Sequence, residues 1–147
     1  MSTGAAPSPA QRLVRLPDWP MRLDALVFGR MLTPFAWGNN DCALFAADCV
    51  LAITGVDLAA GVRGLGARAA MRLVQRRGGM VQLIPEALRP LRRVADAEEG
   101  DIALLPADRR GRMALAVCTR GARVLAPGRA GLMIAPRTGA IRAWRVG

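Results

Sequence analysis

The sequence predicts an α+β domain in which helices come first and an antiparallel sheet follows. Three observations predict it. Apolar residues in the first half recur at helical spacing between capping residues. From about Arg93 onward they fall instead into short runs separated by Gly, Pro and Arg-rich turns. The chain has 147 residues, 52% hydrophobic and 22% charged, which is enough for one core and too little for two.

Residues 1–15 are small and Pro-rich and read as a flexible N-terminal arm, with the domain proper over 16–147. Asp18 is a suitable N-cap and Pro20 suits a first turn, so a helix is expected over 19–31, stopped by Thr33-Pro34. A Gly-Asn-Asn turn at 38–40 leads to Asp41, a cap for a helix from Cys42 to Thr54 closed by Gly55. That helix is apolar nearly all round, so it belongs inside the domain, and its one charge, Asp48, needs a structural partner there. Residues 57–66 are Gly-rich and irregular, a third helix is expected over 67–77, and Pro85–Leu88 suits a short helical turn. Strands are expected at 102–105, 113–118, 122–125, 132–134 and 141–144, with Thr119-Arg120-Gly121 as a hairpin connection. The N-terminal helices would then pack on the C-terminal antiparallel sheet.

Charge and composition narrow the function. The net charge is +10, and all 21 basic residues are arginine. Such a balance favours an anionic partner, although arginine without lysine beside abundant Ala and Gly also matches the codon habit of a GC-rich genome. The arginines are scattered and aromatics are only 4%, which argues against nucleic acid. The sequence holds no histidine, lysine or tyrosine. A histidine general base, a Schiff-base lysine and a P-loop lysine are therefore all excluded. Three cysteines, Cys42, Cys49 and Cys118, are an odd number without zinc spacing, so neither a disulfide scaffold nor a metal site is expected, and no cofactor is implied. No apolar run is long enough for a membrane span, and the first ten residues lack the pattern of a secretion signal.

The sharpest chemical feature is Cys42 in the first turn of a buried helix, directly after a Trp-Gly-Asn-Asn-Asp turn. A helix N-terminus favours thiolate, as a cysteine nucleophile needs; a small apolar packing residue is the plainer alternative. Phe35-x-Trp37-Gly38-x-x-Asp41-Cys42, Phe45, Thr54-Gly55-x-Asp57 and Gly100-Asp101-Ile102 together resemble the NlpC-type branch of papain-like cell-wall peptidases. They are similar in particular to small phage-encoded relatives found among tail genes. The resemblance covers about residues 18–146. It implies a papain-like fold, Cys42 at the nucleophile position, and Gly100-Asp101 opening the sheet in a structural role.

The resemblance also implies a histidine general base on the following strand, at about Ala114, and that base is missing. Without it the cysteine lacks a proton acceptor, an ion-pair partner and an acid for the leaving amine. A carboxylate from Asp48, Asp57 or Asp101 would raise the thiol pKa by like-charge repulsion, so none replaces the base.

The sequence therefore points to a catalytically inactive peptidase-like domain. Its expected role is that of a structural or assembly component of a phage-like tail, near the tail tip, acting by protein–protein contacts in the virion or in the host cytoplasm during assembly. Trp37, Gly38, Asp41 and Arg63 are the candidate binding residues beside the old groove. Two alternatives stay open: an active peptidoglycan endopeptidase or amidase with Cys42 and a non-histidine or partner-supplied base, and a nucleic-acid binder driven by charge.

Overall fold

The computed structural model describes residues 12–147. Helix α1 spans Trp19–Arg30, α2 Cys42–Thr54 and α3 Ala67–Arg77. Six strands follow: β1 (Arg89–Pro90), β2 (Ile102–Leu105), β3 (Ala114–Thr119), β4 (Arg123–Gly128), β5 (Gly131–Pro136) and β6 (Arg142–Arg145). They form one antiparallel sheet in the order β1-β6-β2-β3-β4-β5. The chain is thus α+β, helices first.

Local chemistry accounts for most element ends. Asp41 caps α2 by accepting from the Leu44 amide at 2.9 Å, and Gly55 closes it in the left-handed conformation. Gly78 ends α3 in the same way. The expected cap at Asp18 does not form. Pro20 removes one of the amides that such a cap would serve, and Arg22 one turn on draws the carboxylate into an exposed ion pair at 2.8 Å. Leu88 donates to the Pro85 carbonyl at 3.0 Å, closing a turn. Strand β1 escaped the sequence reading because two residues, one of them proline, carry no alternation.

The N-terminal arm ends earlier than expected. Leu13 is buried, and Arg15 is pinned from three sides. Its guanidinium donates to the Val146 carbonyl (2.8 Å), the Glu99 carbonyl (2.8 Å) and the Asp101 carboxylate (3.0 Å), and it stacks over the Trp19 ring. Residues 12–15 therefore belong to the fold; the rest of the expected arm, 1–11, lies outside the described residues.

The sheet separates two apolar layers. On one face Phe45, Cys49 and Ile53 of α2 pack with Leu23 of α1 and with Ile102, Leu104, Leu115 and Val117 of the central strands. Burying one such side chain stabilises the fold by about 1.5–3 kcal/mol, so α2 is the main support of the domain. On the other face Ala103, Ala116, Cys118, Val124 and Ala143 form a thinner layer of mostly small side chains. Cross-strand partners share a face, and the register pairs Leu104 with Leu115 and Leu105 with Ala114. Leu104 belongs to the helix-side layer and Leu105 to the opposite one. That parity fixes which β3 residues look toward α2.

Candidate functional site

The Phe35–Cys42 turn is built by three interlocking contacts. Asp41 spans the turn, one carboxylate oxygen taking the Leu44 amide and the other the Gly38 amide at 3.0 Å. The Asn40 side chain is buried, donating to the carbonyls of Thr33 and Pro34 while accepting from Arg30 at 2.9 Å. Phe35 meets Trp37 edge-to-face with centroids 4.9 Å apart.

Gly38 is the tightest point. Its φ is +78°, and a Cβ there would lie 2.6 Å from the Leu65 carbonyl oxygen, while its own carbonyl accepts from the Gly64 amide at 2.8 Å. Gly38→Ala is expected to cost about 2–4 kcal/mol, from left-handed strain plus a backbone clash. Urea unfolding measures it, and a loss below about 0.5 kcal/mol would mean that the 64–65 loop does not rest on this turn.

Cys42 follows immediately and is half-buried, with its thiol against the backbone of Leu115 on β3. Burial pushes the thiol above its ordinary pKa. The Leu115 amide pulls the other way, and the Asp41 carboxylate adds to the rise. The net direction is opposite to that of an activated nucleophile: at neutral pH this sulfur keeps its proton. The helix N-terminus is in place, but its cap is an anion and its surroundings are apolar.

Parity moves the expected base position. Ala114 shares the sheet face of Leu105, Ala116 and Cys118, away from α2, so a side chain there points to the wrong layer. The β3 positions that look toward α2 are Leu115 and Val117. Neither carries a proton acceptor. The carboxylates weighed in the sequence are committed elsewhere. Asp48 is held by Arg30 (2.8 Å) and Arg63 (2.8 Å). Asp57 forms a two-pronged pair with Arg63, and the Arg63 hydrogen bond, ahead of the Ala59 amide and despite burial, draws its pKa below the ordinary carboxylate range. Asp101 sits at the far end of the β2–β3 ladder, where its neighbour Ile102 pairs with Val117.

The candidate residues thus separate into groups. Trp37, Gly38, Asp41 and Cys42 form one continuous turn and helix start. Arg63 is an internal clamp that joins Asp48 to Asp57, which accounts for it without an external anion. Asp48 has the partners its burial demands. Gly100, at φ +90°, packs against Ile53 and Arg15 and lets Asp101 turn into the sheet. Asp101 is fully buried and accepts from Arg15, Arg145 and the amides of Glu98 and Val146 at 2.8–3.0 Å. Arg30 and Asn40, which tie α1 to the turn, were missed in the sequence because their partners lie 10 and 18 residues from Arg30 with no periodic signal. Among the described residues no three of Cys, Asp and Glu gather as a metal-ligating group.

A family model for a domain of unknown function, DUF6950, matches residues 14–146. The chain belongs to the DUF6950 family. The matched span begins beside the buried Leu13 and ends at Val146, so the DUF6950 domain coincides with the folded unit described above. No curated protein and no solved structure matches the chain. Within the described part of this DUF6950 domain no helix is long and apolar enough to cross a membrane.

Proposed function

We propose that this DUF6950 domain is a retired cysteine-peptidase-like fold of the papain-like NlpC type that works by binding. Its setting is a phage-like tail, where it acts as a structural or assembly component near the tip. The observation that carries this reading is the environment of Cys42. A cysteine at a capped helix N-terminus abuts the neighbouring strand, as a papain-type nucleophile would, yet every strand position facing it is apolar. The thiol is held protonated, and the sequence contains no imidazole to deprotonate it.

The framework around that sulfur is nevertheless intact: cap, glycine contact, aromatic pair and buried helix. A scaffold kept for its shape needs these contacts and does not need the base. Trp37, 40% exposed, offers the turn an aromatic anchor for a protein partner.

Two measurements test the reading together. Digestion of purified peptidoglycan by wild type and by Cys42→Ala is expected to release no muropeptides in either case. Mass spectrometry of purified tail particles is expected to find the chain in them. Release by wild type that Cys42→Ala abolishes would restore the peptidase, with a base brought by a partner. Absence from the particles would remove the structural role.

A further inference from the structure

We propose that the outer face of α3 is a docking site for an acidic segment of a partner protein. The inference deepens the binding reading above and rests on it. Arg68, Arg72 and Arg76 recur every four residues, so they form one stripe along the helix. Beside them Leu65, Ala69, Arg72, Gln75 and Arg76 line a surface groove of about 510 Å³.

The fold makes no use of this charge. No residue of α3 is buried. None of the nine ion pairs among the described residues engages Arg68, Arg72, Arg76 or Arg77. All 11 Asp and Glu residues lie between Asp18 and Asp108, so residues 1–11 hold no acidic side chain that would complete the stripe. Like charges one turn apart destabilise a helix. A carboxylate-bearing partner reverses that sign, because the guanidinium fork takes a carboxylate through two parallel hydrogen bonds.

The chemistry selects protein over the other polyanions. No aromatic residue lines the groove itself, and the single exposed ring of Trp37 beyond its end is not the run of stacking rings that a nucleic-acid strand needs. Leu73 and Val74 are half-buried, and Met71 is the one large apolar side chain of α3 that is exposed, too little to seat the helix in a lipid layer. Leu65 and Ala69, lining the groove together with Arg72 and Arg76, instead suit one or two apolar side chains of an acidic peptide. The groove also joins the candidate site, since Gly64, next to Leu65, donates to the Gly38 carbonyl. A partner lying along α3 would therefore reach the Trp37-Gly38 turn.

The test uses the full chain and a fluorescein-labelled polyglutamate peptide, read by fluorescence anisotropy at near-physiological salt. Arg72→Glu with Arg76→Glu is expected to weaken binding by about tenfold or more. Arg109→Glu with Arg110→Glu, an equal charge change in the exposed β2–β3 loop, is expected to weaken it by less than about threefold. Equal losses in the two variants would reduce the effect to net charge and overturn the site. Tighter binding of wild type to duplex DNA or to phosphatidylglycerol vesicles than to polyglutamate would overturn the partner class. Both variants change surface residues only, and circular dichroism establishes that each is folded. Muropeptide release by wild type would sink the binding reading above without altering the anisotropy comparison, so the two failures are separable.

Discussion

Asp101→Ala is expected to lower the unfolding free energy by about 3–5 kcal/mol, the largest loss from any single substitution considered for this domain. The carboxylate is fully buried and holds two arginines and two backbone amides. Arg15 brings the N-terminal segment to it, and Arg145 and the Val146 amide bring β6 and the C-terminal segment. Removing the carboxylate leaves two cations and two amides without their acceptor, away from bulk water. Single domains have about 5–15 kcal/mol in hand, so the variant would sit close to its unfolding threshold. Asp101→Asn keeps the volume and one acceptor oxygen, and is expected to lose about half as much. Urea denaturation of the three proteins measures both steps. A loss below about 1 kcal/mol for the alanine variant would mean that the hub is no stronger than an exposed ion pair.

The second large effect is alkaline. Burial, with help from the Asp48 carboxylate, pushes the Cys49 thiol far above its ordinary pKa; burial, reinforced by Asp101 and partly offset by Arg137, pushes Cys118 up to about 11. The unfolded chain ionises its thiols first, so between roughly pH 9 and 11 the native state binds more protons than the unfolded state. Stability must then fall as pH rises, by about 1.4 kcal/mol per pH unit for each of these two thiols. The composition makes the window clean. With no lysine and no tyrosine, the cysteines are the side chains that titrate there. Denaturation midpoints measured from pH 8 to pH 10.5 are expected to drop steeply in wild type and far less in Cys49→Ala/Cys118→Ala, which starts from a lower baseline because of its smaller core side chains. Parallel curves for the two proteins would show that the buried thiols are not the cause.

Legibility differed by the range of the interactions. The α+β order, the span of α2 with its Asp41 cap and Gly55 stop, and the span of α3 were readable because caps and periodicity act within a few residues. The cap expected at Asp18 failed because Pro20 and Arg22, both nearby, compete for it. The arm boundary failed because Arg15 is held by partners 84 to 131 residues away, which no local pattern announces. Cys42 was legible as the first residue of a buried helix, but the expected base position at Ala114 was off in parity. A single residue of register reverses the face of every strand side chain, and short apolar runs such as 113–118 do not reveal which face is which. Arg63, a candidate binding residue by sequence, closes a network with Asp48 and Asp57 that only the fold assembles.

Everything proposed for function depends on an unactivated sulfur in an otherwise intact turn. The most direct test is the pH dependence of iodoacetamide labelling at Cys42, followed on its own peptide by mass spectrometry in the folded wild-type protein. The labelling rate is expected to stay low at neutral pH and to rise only above the range of a free cysteine thiol. A rate already at its plateau below pH 7 would reveal a stabilised thiolate and contradict the claim that this fold has left nucleophilic chemistry behind.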